Sequence, residues 1–473
     1  MKEHKLHAIQ DMDSLYAAQE KIYAREAKGR FQTLRKIAAW ILLGGFYLVA
    51  WLPWDDRQAI LFDLPARQFH ILGLTFWPQD FFFLAWLLVI AALALFFFTA
   101  LAGRVWCGYA CPQTVWTEVF VAMERWVEGG RRDQIRLSKM SWKKPERIRK
   151  VLAKQALWIA FALWTGFTFV GYFTPIRELG YNILITLSSS EYLLGPWETF
   201  WVLFYALATY GNAGFLREQV CLYMCPYARF QSVMFDSNSL IISYDEERGE
   251  PRMKGKERKQ AGDNAGDCVD CNMCVQVCPT GIDIRDGLQY ECITCAACID
   301  ICDDVMERHD KPKGLIRYTT ENALNHKPSK IWRPRTVIYG ILLFCLTLGL
   351  ALSIGLRSSL DVEVLRDRNA FFRVVDEQHI ANVYTLKILN KTESAQRYQI
   401  AVSGLEGASV EWVHGQQVAA GEMGTLPIRI VAPTKSLKGF SQTIELRIRE
   451  IAPQSGGQSV QRETRFFGPE AAR

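Results

Sequence analysis

The chain has 473 residues, a net charge of +6 and 50% apolar residues, with 12% of all positions aromatic. That length allows more than one domain, and a mean hydropathy of +0.01 in so apolar a chain means strongly apolar blocks alternating with polar ones. The charge is too small for the length to argue for a nucleic acid, and none is expected as a partner.

Residues 1–36 carry eight Lys and Arg and read as a cytoplasmic tail. His4 and His7 form a short HxxH there, a copper-capturing pair unless the tail is simply disordered. Ile37–Trp54 is the first of five charge-free runs; the others are Phe81–Gly103, Gln155–Ile176, Thr199–Leu216 and Thr336–Leu356. A hydrocarbon core needs about 20 such residues in a helix, so a five-helix transmembrane region is expected, at 37–216 and 336–356. The first run follows a charged tail without a small-residue cleavage site and reads as a retained span, not a leader. Gly103–Lys154 carries twelve Lys and Arg, whereas the loops Asp55–Asp80 and Arg177–Glu198 carry two and one. Positive charge stays inside, which places the N-terminus and 217–335 in the cytoplasm and everything beyond Arg357 outside.

Just past the second and fourth runs, "CGYACP" sets Cys107 and Cys111, and "CLYMCP" sets Cys221 and Cys225. This spacing puts both sulfurs of a pair on one face of a helical turn, and Pro112 and Pro226 suit the first position of a new helix. Trp116, Val119, Phe120, Met123 and Trp126 recur at helical spacing and predict an interfacial amphipathic helix over 112–128, with Glu118 and Glu124 on its polar face. Cys111 and Cys225 would then stand at helix N-termini, where the dipole favours thiolate. Such thiolates suit Cu(I) above all, or a further iron–sulfur cluster. Packing cysteines are the plain alternative; a disulfide is disfavoured in a reducing compartment.

The basic run Arg252–Lys259 is a solvated linker or a surface for anionic lipid or an acidic electron donor. After it come "CVDCNMCVQVCP" and "CITCAACIDICD", two C-x2-C-x2-C-x3-C repeats that predict an α+β bacterial ferredoxin-type domain over 260–312. In that pattern the fourth thiolate of each cluster comes from the other run. One 4Fe-4S cluster would use Cys268, Cys271, Cys274 and Cys302, and the other Cys292, Cys295, Cys298 and Cys278. Asp303 replaces the second proline and predicts a looser loop there. Zinc also accepts four thiolates, but interleaved four-cysteine repeats favour iron–sulfur. A Gly-rich dinucleotide turn is missing and no histidine falls within the five runs, which argues against a nicotinamide site and a bis-histidine haem. The electron source is then another protein or a quinol.

Cys345 stands alone in the last run and reads as a buried small hydrophobe. In 357–473, "NVYTLKILN", "RYQIAVSG", "GTLPIRIVAP" and "QTIELRIRE" alternate apolar and polar residues, predicting an all-β immunoglobulin-like sandwich. It carries no catalytic constellation, so partner binding is its expected role.

Two CxxxCP motifs after apolar runs, a double 4Fe-4S module and an all-β tail together resemble the cytochrome c oxidase accessory protein CcoG (FixG/RdxA) family, over nearly the whole chain. Polyferredoxins of the periplasmic nitrate and nitrous oxide reductase systems share the CxxxCP and ferredoxin motifs. The resemblance implies a multi-pass protein of the bacterial inner membrane. It implies reduction of Cu(II) to Cu(I) for assembly of the cbb-type haem–copper oxidase, which would make the chain a cupric reductase. Cys107, Cys111, Cys221 and Cys225 become candidate catalytic and copper-holding thiolates, and the ferredoxin cysteines the relay. The implied partners are copper ions and oxidase assembly factors or a copper transporter, beside an unnamed electron donor and the lipid bilayer; a homo-oligomer is left open. The alternatives are a non-catalytic scaffold or copper carrier, and a quinol-linked electron conduit.

Overall fold

The computed structural model describes residues 21–469 except 56, 190–192, 262–263, 359, 369, 393, 413–416, 438 and 452–457. His4 and His7 lie outside the described residues. The chain divides into two compact units, Met1–Arg67 with Asp80–Thr347, and Gln68–Gln79 with Leu348–Arg473.

Among the described residues, three helices are long and apolar enough to cross a membrane: Pro78–Ala102, Pro145–Val170 and Pro334–Gly355. They correspond to the second, third and fifth apolar runs. The first run is not one helix. Helix α1 (Arg30–Val49) starts inside the charged tail and stops short, and Pro53 and Trp54 instead pair with Gln58 and Arg57; proline cannot continue a helix interior. The helices that position the site are α2 (Phe81–Ala102), α3 (Val105–Tyr109), α4 (Pro112–Glu128) and α5 (Pro145–Val170). Helix α6 (Pro196–Thr209) covers only part of the fourth run, because Tyr210–Leu216 widens into a π-helix. Gly211 and Gly214 weaken α-helical preference there, and a Cβ on Gly214 would stand 3.1 Å from the Trp158 ring. Gly166 lets α5 and α6 close up: its Cβ would lie 2.3 Å from Val202 O. Small residues permit such approach between membrane helices.

Helix α7 (Pro226–Met234) leads into the ferredoxin part. There β1 (Ile241–Tyr244) pairs antiparallel with β2 (Ile316–Thr319), and α8 (Met273–Val277) and α9 (Ala297–Arg308) follow the two cysteine loops. Ile242, Tyr244, Ile284, Ile299, Met306 and Ile316 bury together with Cys268 and Cys274 in its core. Asp303 does not sit in a loop: α9 runs through both Cys298 and Cys302, since no proline stops it, and the Asp303 carboxylate accepts from Gly314 N at 2.8 Å. Cys345, on α10 (Pro334–Gly355), is exposed and not buried, on a helix surface that is apolar throughout.

The second unit is a two-sheet sandwich. Its strands are β3 (Leu360–Arg366), β4 (His379–Asn390), β5 (Gln396–Ser403), β6 (Ser409–Trp412), β7 (Gln417–Val418), β8 (Met423–Pro433), β9 (Ser441–Glu450) and β10 (Ser459–Phe467). One sheet has the order β6-β8-β4-β3, the other β7-β5-β9-β10. Alternate residues point inward, Leu426, Ile428, Ile430 and Ala432 from β8 and Ile444, Leu446 and Ile448 from β9, as two packed sheets require. The four segments expected from the alternation are β4, β5, β8 and β9.

Candidate electron-transfer site

The two ferredoxin loops repeat one backbone conformation. Asp270 and Asn272 have φ of 47° and 58°, and the equivalent Thr294 and Ala296 have 56° and 60°. Non-glycine residues adopt left-handed φ only where the surroundings demand it. Such turns gather successive N–H groups into an anion-receiving nest of the kind found at Fe–S sites. Each loop opens on a cavity. One is lined by Cys268, Cys271, Cys274 and Cys302. The other is lined by Cys278, Cys292, Cys295 and Cys298, with Cys274 on the shared wall. The interleaved quartets expected from the spacing thus line the two cavities. Paired cavities, nests and all-thiol donor sets fit two 4Fe-4S groups. Burial pushes the metal-free thiols up, Cys274 to about 11 and Cys292 and Cys302 to about 12, so loading must release protons.

The CxxxCP motifs also match each other. Cys111 caps α4 and Cys225 caps α7, each with proline at the first helical position. In each, the second cysteine donates its N–H to the carbonyl just before the first: Cys111 to Trp106 at 2.9 Å, Cys225 to Val220 at 2.8 Å. The chain between Val220 and Met224 is π-helical. Side chains lace the motifs together. Gln113 Nε2 donates to Asn212 O at 2.9 Å and Arg217 O at 3.1 Å, and Cys107 Sγ donates to Gln231 Oε1 at 3.2 Å. The four thiols feel one another. Burial, then Cys111, pushes Cys107 up to about 12, with further contributions from Cys221 and Cys225; burial and Cys111 push Cys221 up to about 11. Burial dominates at Cys107 and Cys221, whereas Cys111 and Cys225, the two expected at helix N-termini, do stand there.

This thiol group adjoins the second ferredoxin quartet. A Cβ on Gly108 would stand 2.8 Å from Ile293 O, 2.9 Å from Thr294 O and 3.0 Å from Cys295 Cα. Cys107 packs into the same apolar cluster as Val277, Ile293, Cys295 and Ala297. Arg35, buried, donates to Gly108 O at 3.2 Å and pairs with Glu118 at 3.1 Å. Arg104, 4% exposed, donates to Tyr290 O on one side and Ala228 O on the other. Cys221 lines a solvent-connected cavity whose walls include Thr114, Glu118, Glu218 and Pro279.

Five features escape sequence reasoning. Glu124 is not on a solvated face: it is 1% exposed and bound by Lys21, Lys154 at 3.4 Å and Arg217 at 2.7 Å. Glu118 is likewise engaged. Arg104 and Gly108 carried no local signal. The basic run is no free linker either, since Lys254 pairs with Asp270 at 2.8 Å and Arg258 donates to Cys268 O at 3.1 Å.

The site and fold define a membrane iron–sulfur protein of electron transfer. Residues 216–321 match a family model described as a 4Fe-4S dicluster domain, 84–128 a 4Fe-4S binding domain, and 350–469 the IG-like fold at the C-terminal of FixG. RdxB and RdxA of Cereibacter sphaeroides are 40% and 38% identical to this chain, each over 96% of it and over 98% and 99% of themselves. The nitrogen fixation protein FixG of Rhizobium meliloti is 38% identical over 88% of this chain and 85% of its own. The chain belongs to the FixG/RdxA family.

Proposed function

We propose that this protein is a membrane metalloreductase that delivers electrons to Cu(II) at the Cys107, Cys111, Cys221 and Cys225 thiols, producing Cu(I) for assembly of a cbb-type haem–copper oxidase. Bound 4Fe-4S groups supply one-electron storage and release. The observation that carries the reading is the packing of Gly108 and Cys107 on the Ile293–Cys295 backbone, which leaves the thiol group in contact with a cluster-binding loop. One electron per copper is needed, and its source is a one-electron protein carrier or a quinol. Soft thiolates favour Cu(I) over Cu(II), which draws the reduction forward. The reading includes five spans, with α1 and the α6–π segment joining the three long helices. The N-terminus and ferredoxin part face the cytoplasm and the sandwich the periplasm, following the Lys and Arg distribution.

The test is stopped-flow reoxidation of the reduced protein by Cu(II). Cys107→Ala and Cys225→Ala should slow it at least tenfold while leaving the ferredoxin clusters reducible. Equal rates in all four single-cysteine variants would remove the thiols from the reaction. A second reading is that the same four thiols hold a further iron–sulfur group. The 4Fe-4S binding model over 84–128 spans Cys107 and Cys111. Among the described residues, no three His, Cys, Asp or Glu side chains stand at single-ion spacing, and the ferredoxin quartets share that wider spacing. Iron counting in Cys107→Ala separates the two: iron is lost only if a cluster lives there.

A further inference from the structure

Three arginines beside the cluster loops have carboxylate partners. Arg35 has Glu118 at 3.1 Å, Arg285 has Asp283 at 2.5 Å and Asp270 at 2.6 Å, and Arg248 has Asp267 at 2.6 Å. Arg104 is buried and makes no carboxylate pair among the described residues; its Nε has no hydrogen-bond partner. An unpaired cation in a protein interior is unfavourable unless an anion compensates it.

Its position tells where that anion belongs. Arg104 lies three residues before Cys107. Its two terminal nitrogens hold Tyr290 O, two residues before Cys292, and Ala228 O, three residues after Cys225. A second orphan donor lies on the same helix as Ala228: Gln231 is 1% exposed, its Oε1 accepts from the Cys107 thiol, and its Nε2 has no partner. Gln231 thus touches Cys107, and Arg104 joins the chain after Cys225 to the chain before Cys292, both on the seam between the CxxxCP thiols and the Cys292 loop. Metal–thiolate groups carry the negative charge both would meet.

We propose that Arg104 is the shared counter-cation of the Cys278/Cys292/Cys295/Cys298 group and the CxxxCP thiol group. Its fixed charge stabilises an added electron at the seam and draws electrons toward Cys107 rather than toward the outer quartet. Gln231 assists as a positioning residue, buried against Cys107 with a spare amide donor. The proposal rests on the reading that electrons cross this seam, but it concerns a charge and not the copper reaction. Reduction potentials therefore test it separately.

The experiment is an EPR-monitored redox titration of the full-length, cluster-loaded protein in detergent. Arg104→Gln should shift the midpoint of the second-quartet cluster downward and leave that of the Cys268/Cys271/Cys274/Cys302 cluster unchanged. Arg104→Lys should restore most of the shift, because it returns the charge without the forked hydrogen bonds. Gln231→Glu, which keeps Arg104 and its backbone bonds, should also shift it downward by setting a carboxylate against Cys107. This last variant keeps the test decisive if Arg104→Gln does not fold. Unchanged midpoints, equal shifts in both clusters, or no recovery with lysine would overturn the proposal. Loss of copper reduction with an unmoved midpoint would count against the charge role and leave the reductase reading intact.

Discussion

Asp300 caps α1 from a distance of 268 residues: its carboxylate accepts from Gln32 N at 2.7 Å and from Phe31 N at 3.1 Å. Asp300 lies between Cys298 and Cys302 on α9, so α1 is anchored to the helix that supplies both clusters. Helix N-termini leave four N–H groups without intrahelical partners, and here a remote side chain satisfies two of them. Asp300→Ala should lower stability by about 1–2 kcal/mol, read as a lower Tm in detergent, with protease nicking before Arg30. Gly29→Ala should do the same, because its Cβ would stand 2.3 Å from the pinned Asp300 Cγ. A Tm unchanged in both variants would show that the cap carries no weight.

Gly108→Ala is expected to be costlier than its position in the short helix α3 suggests. The added methyl meets backbone atoms of residues 293–295, which cannot rotate away. Overpacking of this kind costs about 1–3 kcal/mol. The strain falls on the second quartet, so iron and EPR signal from that cluster should drop while the Cys268 cluster keeps its own. Equal retention of both signals would contradict the contact.

Glu124 supplies the pH dependence. Burial pushes its pKa up, but Arg217, Lys21 and Lys154 outweigh this and hold it down at about 2, against 4.5 for an ordinary glutamate. A depressed folded-state pKa means stability that is fully present above about pH 4.5 and lost as pH falls toward 2. Glu124→Gln should remove that part of the acid sensitivity. It should also cost about 3–5 kcal/mol near neutrality, because Lys154 and Arg217 are left without this carboxylate. Acid unfolding curves of both proteins, followed by tryptophan fluorescence, check both parts.

Cross-supplied ligands make a distinctive prediction for the cysteines. Cys278 stands in the first repeat yet lines the cavity of the second quartet. Cys278→Ala should therefore lose the cluster whose other thiols are Cys292, Cys295 and Cys298, and Cys302→Ala the opposite one. Assignment of the surviving EPR signal distinguishes this from a sequential arrangement, which predicts the reverse pattern.

In the sandwich, Asn382 is 1% exposed and hydrogen-bonds both backbone groups of Phe467, donating to its O at 2.7 Å and accepting from its N at 3.1 Å. Asn382→Leu leaves both unmatched and should cost about 1–3 kcal/mol. Calorimetry of the full chain should show this as an earlier transition for the β-rich unit alone.

Local chemistry made part of this architecture legible. The C-x2-C-x2-C spacing, the prolines after Cys111 and Cys225, and the alternation in β8 and β9 are each constrained within a few residues, and each appears in the structure as expected. Legibility fails where remote segments meet. Glu124 looks solvated because its partners are 30 to 103 residues away, and Gly108 looks like ordinary loop chain until residues 293–295 arrive against it. The ends of α1 and α6 were missed for a related reason. Hydropathy marks which residues avoid water, not where a proline or a π-turn breaks the hydrogen-bond ladder.

The paired closing bonds, Cys111 to Trp106 and Cys225 to Val220, make each CxxxC segment a hydrogen-bonded ring of set size. A ring is a gauge of length. It counts residues but does not inspect most of them, which is why Gly-Tyr-Ala serves in one motif and Leu-Tyr-Met in the other. Variation should therefore pass freely at Leu222 and Met224, whereas removing any one residue between the cysteines breaks the count. The two motifs share the number of residues in the spacer, while Gly108 alone among them is held to its identity by a neighbouring backbone.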